Sequence, residues 1–226
     1  MKIVIINPNS SPEMTEDIDT AARNYAAGEF EVITLPTPGA PVFIDSYEDA
    51  AVSVPGMINL VHRYQEEADA FIIACHGDPG IDVLKEISGK PVVGIGEASM
   101  KLATMLGHRF SVVTTSRQSI PGKEAVVHQY HLDEYLASVK APLSESEALN
   151  DEAPFLEAAR AAIEQDMAEV IVLGCAGLAG LDRSMSRKLG VPVLDGVVCA
   201  LIIATGLVKA GLGISKAARY RGKTPL

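Results

Sequence analysis

A chain of 226 residues that is 48% hydrophobic and 21% charged can bury a full core, which excludes wholesale disorder and leaves room for one large domain or two small lobes sharing an interface. The formal net charge is −10 and no Lys/Arg cluster falls on one expected face, which argues against nucleic acid and against an anionic membrane as partners. Three cysteines is an odd count in a chain too long to need disulfide staples, and the opening run Met1–Ile6 breaks at Asn7-Pro8-Asn9 before reaching signal-peptide length, so a cytoplasmic chain with reduced thiols is expected.

Taken in chain order, short Val/Ile-rich runs alternate with longer amphipathic segments. Strands are expected at Lys2–Ile6, Phe30–Leu35, Ala70–Ala74, Pro91–Ile95, Phe110–Thr114, Ser138–Lys140, Val170–Leu173 and Val191–Leu194. Between them, Ser11-Pro12-Glu13-Met14 supplies an N-cap serine with proline at the first helical position. Asp49–Glu67 carries apolar residues at helical spacing, although Pro55-Gly56 weakens its early part. Asn150–Met167 has a cap, an acidic first turn, and Phe155, Leu156, Ala159 and Ile163 on one face. The longest apolar stretch, Gly196–Val208, is too short to span a bilayer and reads as a buried helix. Met57, Met100, Met105 and Met167 occupy apolar helical positions and are expected in the core. Alternating strand and helix argue for an α/β fold with parallel sheets covered on both faces.

The two halves echo one another. Pro91-Val92-Val93-Gly94 and Pro192-Val193-Leu194-Asp195 recur at nearly the offset that separates Cys75 from Cys175, and Gly96–Met105 and Gly196–Thr205 both turn from a strand end into an apolar helix. The expectation is two pseudosymmetric lobes, each a roughly four-stranded parallel sheet flanked by helices, with the site in the cleft between them. Residues 1–97, completed by 206–226, form the first lobe and 98–205 the second. In open parallel sheets ligands bind beyond the carboxyl ends of the strands, and polar and small residues concentrate at those ends here.

Cys75 and Cys175 sit in equivalent frames. Phe71–Ala74 leads into Cys75-His76-Gly77-Asp78-Pro79-Gly80, and Val170–Gly174 leads into Cys175-Ala176-Gly177-Leu178-Ala179-Gly180. One such thiol is ordinarily a small buried hydrophobe. A matched pair, each where a helix should begin, suits moving a proton from one face of a carbon to the other. Cys199 lies inside the apolar run Val197–Ile203 and reads as core. His76 either supports the neighbouring thiolate or is a satisfied histidine. Cys75, His76 and Asp78 have the wrong spacing for zinc and lack a second ligand pair, so no metal is expected. Gly94-Ile95-Gly96-Glu97-Ala98-Ser99 approaches a dinucleotide fingerprint, but Ser99 replaces the last glycine or alanine and no ribose-binding acid ends the next strand.

These motifs, together with Ile6-Asn7-Pro8-Asn9-Ser10, Ser53-Val54-Pro55-Gly56, Arg109–Thr115 and Leu173-Gly174-Cys175-Ala176-Gly177, resemble the aspartate/glutamate racemase superfamily, and within it the hydantoin and allantoin racemases. The resemblance covers nearly the whole chain. It implies racemisation without a cofactor, Cys75 and Cys175 as the acid/base pair, a small-molecule substrate and a homo-oligomer. Where this chain has His76, the family usually has an aromatic residue.

On that basis the substrate is expected to be a 5-substituted hydantoin such as allantoin. Backbone N–H groups of the Gly77–Gly80 and Ala176–Gly180 turns would receive the oxyanion. Asn7, Asn9, Thr114 and Thr115 would hold ring amides and carbonyls, with Ser10, His76, Gly77, Asp78, Gly80, Ala176 and Gly177 completing the binding set. Asp195 and Glu97 are expected to orient loops. Rival readings are a free amino-acid racemase or a related isomerase or decarboxylase on the same scaffold, and a non-catalytic two-lobed binding module.

Overall fold

The computed structural model describes residues 1–143 and 151–222. Asn150, named above as the start of a helix, lies outside the described residues, as do parts of the segments 98–205 and 206–226. The chain divides into two compact units, Met1–Gly94 with Ala200–Leu226, and Ile95–Cys199.

In the first unit β1 (Lys2–Asn7), β2 (Glu31–Pro36), β3 (Ala70–Ile73) and β4 (Val92–Gly94) form a four-stranded sheet of order β2-β1-β3-β4, parallel throughout. Helix α1 (Pro12–Ala26) connects β1 to β2, α2 (Tyr47–Tyr64) connects β2 to β3, and α3 (Ile81–Ile87) connects β3 to β4. The second unit begins with α4 (Ile95–Leu106) and repeats the plan. Its strands β5 (Phe110–Val113), β6 (Leu136–Lys140), β7 (Val170–Leu173) and β8 (Val193–Leu194) pair in parallel in the order β6-β5-β7-β8. Helices α5 (Ile120–Gln129), α6 (Glu152–Asp166) and α7 (Asp182–Leu189) are its crossovers, and α8 (Gly196–Lys209) follows β8. The bounds 97 and 205 set from sequence fall inside α4 and α8.

The strands form where β-branched residues can be buried on both faces. Val112, Val170 and Val172 join one core cluster with Phe110, Met100 and Val127. Their alternates Val113, Ile171 and Leu173 join another with Phe155, Ala159 and Met185. That is the two-residue period of a strand covered on both sides. In the first unit Val4, Ile6, Phe71 and Ile73 meet Met57, Leu60 and Leu84 of α2 and α3.

Capping chemistry sets the helix starts. Ser11 is extended and accepts the Met14 N–H, with Pro12 at the first helical position of α1. Ser46 and Asp49 form a reciprocal capping box on α2. Asp151 accepts the Ala153 N–H at α6.

The structure corrects three expectations. Pro55-Gly56 does not weaken the start of α2: the helix runs through the pair, beginning earlier, at Tyr47, and ending earlier, at Tyr64. Proline forfeits one backbone bond there, while Gly56 permits a close approach, since a Cβ on it would stand 2.5 Å from Thr37 Cγ2 and 2.6 Å from the Pro38 carbonyl oxygen. Met105 and Met167 are not core. They are 77% and 74% exposed, Met105 in the last turn of α4 and Met167 as the left-handed cap of α6 at φ 60°. Helix α8 is apolar on every side but only partly buried: Val197, Cys199, Ala200, Leu201 and Ala204 face inward, while Ile202 is 43% exposed.

The C-terminal tail packs on α3. Lys216 Nζ donates to the Lys85 and Glu86 carbonyl oxygens at 2.8 Å each, and Tyr220 Oη donates to Asp82 Oδ1 at 2.7 Å. The ammonium therefore caps the negative end of the helix that follows Cys75.

Candidate active site

Strand order places the two cysteines. In each unit the chain leaves one central strand toward one edge and returns to the other central strand before moving to the opposite edge. That reversal between β1 and β3, and between β5 and β7, opens a crevice at the carboxyl ends of the strands. Cys75 follows β3 beside the Asn7–Ser10 segment that ends β1, and Cys175 follows β7 beside Thr114–Ser116 that ends β5.

The two thiol turns are built alike. Ala74 N–H donates to the Ile6 carbonyl at 2.8 Å, and Gly174 N–H to the Val113 carbonyl at 2.8 Å. Asp78 N–H returns to the Cys75 carbonyl at 2.9 Å, and Leu178 N–H to the Cys175 carbonyl at 3.1 Å. Gly80 and Gly180 then take positive φ, 67° and 85°, a conformation that favours glycine. From Phe71 to Asp78 and from Ile171 to Leu178 burial runs in the same order, with Cys75, Gly77, Cys175 and Gly177 half-buried between covered neighbours. An added Cβ on Gly77 would stand 3.9 Å from Cys75 Sγ.

Neither thiol directly precedes an α-helix, although Cys175, as the sequence suggests, does stand where a short helical turn begins, as the N-cap of a 3-10 turn. A turn follows Cys75 and α3 begins at Ile81; a 3-10 turn over Ala176–Leu178 follows Cys175 and α7 begins at Asp182. The glycine-rich segments are long enough to fold back before a helix starts. That geometry also narrows the donors available to an oxyanion. The N–H groups of Asp78 and Leu178 are taken by the cysteine carbonyls, that of Ala179 by Ala176, and that of Gly180 by Asp195 Oδ2 at 2.9 Å.

Around these turns, Asn7 and Asn9 are buried and hold the β1–α1 loop. Asn7 Nδ2 donates to Asn9 Oδ1 at 2.7 Å and to Thr15 Oγ1 at 2.9 Å, and Asn9 Oδ1 also accepts the Ser11 N–H at 3.0 Å. Ser10 is half-buried, and its N–H donates to the Pro41 carbonyl at 2.8 Å. Thr114 is fully buried with its Oγ1 2.7 Å from Ser119 Oγ, while Thr115 and Ser116 are half-buried. His76, Asp78 and Ala176 are buried and Gly80 is half-buried.

Asp78 holds φ 44° and its carboxyl group lies over Gly94, where a Cβ would stand 2.2 Å from Asp78 Cγ. That contact explains the glycine at the start of the near-fingerprint: it receives a carboxyl group of its own chain. Among the described residues no group of three or more His, Cys, Asp or Glu gathers as a metal-ligating set, and no helix is long and apolar enough to cross a membrane.

Asp195 orients the second thiol turn. Besides the Gly180 N–H, it accepts the Val197 N–H on Oδ1 at 2.7 Å and so caps α8. Burial pushes its carboxyl group above the ordinary range, opposed by these N–H donors. Cys199, one turn on, is 2% exposed, and burial followed by the charges of Asp195 and Asp182 pushes its thiol up to about 12. Sequence reasoning missed Thr37. It is fully buried, donating its N–H to the Asn9 carbonyl at 2.9 Å and its hydroxyl to the Asn7 carbonyl at 2.7 Å. Its position directly after a strand ending in proline was the available signal.

Two parallel α/β units of identical strand order, each with a half-buried thiol at its topological reversal, define a duplicated α/β enzyme. The family described as Asp/Glu/Hydantoin racemase matches residues 3–204, and the chain belongs to it. The hydantoin racemase of Pseudomonas sp. (strain NS671) is 39% identical over 227 residues, covering 98% of this chain and 91% of that one. The structure of allantoin racemase from Klebsiella pneumoniae superposes with TM-score 0.94 at 34% identity, covering 100% of this chain and 95% of that one. Allantoin racemase from Pseudomonas fluorescens superposes with TM-score 0.92 at 34% identity, covering 100% and 98%. The protein is a racemase, an isomerase.

Proposed function

We propose that the protein inverts C5 of a 5-substituted hydantoin without a cofactor, with Cys75 and Cys175 as the two acid/base groups. The observation that carries this reading is the equivalence of the two thiol turns, both half-buried at strand ends, against the buried, high-pKa Cys199. One thiolate takes the C5 proton and the C–H electron pair moves into the adjacent C4 carbonyl, giving a planar enolate. The pair then returns to C5, which takes a proton from the other thiol on the opposite face. The charge has moved from one sulfur to the other, so the opposite enantiomer is processed by the same steps in reverse.

The enolate oxygen needs donors in place before charge develops. The half-buried Gly77 and Gly177, with Ala176, present the candidate N–H groups, because the later residues of both turns serve the fold. Asn7, Asn9 and Thr114 act through the loops they hold, and the half-buried Ser10 and Thr115, just past the ends of β1 and β5, would hold the ring. Gly80 sets the turn, Asp78 seats it on Gly94, and His76 is the buried neighbour of the first thiol. A homo-oligomer is part of this proposal, checked by light scattering.

Polarimetry in D2O, without added cofactor, on allantoin, 5-benzylhydantoin, 5-isopropylhydantoin and aspartate tests the substrate class. The expected result is loss of rotation with one deuterium at C5 of a hydantoin. Racemisation of aspartate alone would overturn it.

A further inference from the structure

We propose that Phe43, with Val42 beside it, is the wall that reads the C5 substituent and selects apolar groups; this rests on the hydantoin reading above. Three of the chain's five phenylalanines, Phe71, Phe110 and Phe155, are fully buried, whereas Phe43 is 50% and Val42 55% exposed. The pair sits on the loop after β2, at the carboxyl end of the first sheet.

That loop is fixed to the site segment. Thr37 donates to the carbonyls of Asn7 and Asn9 at 2.7 and 2.9 Å, and the Pro41 carbonyl accepts the Ser10 N–H at 2.8 Å. Gly56 lets α2 press on Thr37 and Pro38 from the other side. Val42 and Phe43 follow Pro41 directly, so they are held within two residues of the bond to Ser10. The ends of β2 and β3 are separated by β1 alone, two strand spacings or roughly 10 Å, which a loop of this length spans.

Two large apolar side chains left half in water, on a loop pinned beside a catalytic turn, form one side of a ligand site. The thiols and backbone donors serve the ring, which all substrates share. The substituent is what distinguishes substrates, and an apolar wall favours benzyl or isopropyl over the ureido group of allantoin, whose N–H and C=O groups would lose water without partners. A second copy of the chain is the alternative occupant. The direct tie to Ser10 favours the ligand.

The test compares kcat/KM for 5-benzylhydantoin, 5-isopropylhydantoin and allantoin in the full-length protein and its Phe43→Ala and Phe43→Leu variants. Phe43→Ala should lower the benzyl value by about tenfold or more while allantoin changes less than about threefold, and Phe43→Leu should restore part of the isopropyl value. An equal fall for all three substrates, no change in any, or an altered light-scattering mass with unchanged substrate ratios overturns the proposal. Wild-type protein inactive on all three hydantoins overturns the function reading and this proposal together, whereas an active wild type with indifferent variants removes only the wall.

Discussion

The backbone N–H of Gly180 and the carboxylate of Asp195 meet at 2.9 Å, tying the far end of the Cys175 turn to the first turn of α8. One side chain thereby sets both the thiol loop and the helix that follows the last strand. Asp195→Ala removes the cap and strands a backbone donor, partly offset by relief of a buried carboxyl group. The expected loss is about 1–3 kcal/mol in denaturant unfolding, with kcat falling more than KM rises. Unchanged stability would show that the tie has no structural weight.

The first unit has its own seat for its thiol turn. Gly94→Ala drives a methyl into Asp78, since the added Cβ would lie 2.2 Å from Asp78 Cγ. The turn must move, and Cys75 with it. Racemase activity should drop by about tenfold or more for a stability loss of about 1–3 kcal/mol. Wild-type activity in the purified variant would place Asp78 outside the positioning of Cys75.

Glu152 at the start of α6 accepts Lys188 Nζ at 2.8 Å and Ser184 Oγ at 3.0 Å from α7. The bond from Lys188 is the largest influence and holds its carboxyl group below the ordinary range, against burial, which comes second and outweighs the bond from Ser184. A depressed carboxyl pKa stabilises the fold above the unfolded value, near 4.5, and that contribution disappears as pH falls through the folded value. Glu152→Gln should therefore cost about 0.5–1 kcal/mol at pH 7 and almost nothing near pH 3. Parallel stability curves for the two proteins would contradict this.

Much of this architecture was legible in the chain. Seven Val/Ile-rich runs and the short Ser138–Lys140 became eight strands; β3, β5 and β7 are buried throughout and need continuous apolar residues, whereas β2 and β6 at the sheet edges are only half-buried. The duplication was legible through the spacing of the thiols and of the Pro-Val strands. Long-range contacts were not. Pro55-Gly56 reads locally as a break, and only the approach of Thr37 and Pro38 shows why glycine belongs there. Met105 and Met167 fit an apolar period, yet both fall at helix ends where the chain turns outward. Cys75 and Cys175 were visible as a pair, whereas the N–H groups that their turns consume depend on folded geometry. For Thr37 the local sequence offered only its place after the proline that ends β2, and its two bonds to the Asn7 and Asn9 carbonyls depend on the fold.

Thiol labelling separates the three cysteines. With its thiol near 12, Cys199 is thiolate at roughly one part in 10⁴ at pH 8, and it is 2% exposed. Iodoacetamide on the native protein should modify Cys75 and Cys175, protected by substrate, and leave Cys199 unmodified in peptide mass spectra. Rapid labelling of Cys199 would remove its role as a core residue.

The most direct measurement is chiral chromatography of a racemisable hydantoin in D2O with the Cys75→Ser and Cys175→Ser proteins. A serine hydroxyl neither gives nor takes a proton usefully at neutral pH, so each variant should lose interconversion by at least about 10³-fold while circular dichroism stays native. Either variant racemising both enantiomers at the wild-type rate would show that a single sulfur suffices, and the paired-thiol account would be wrong.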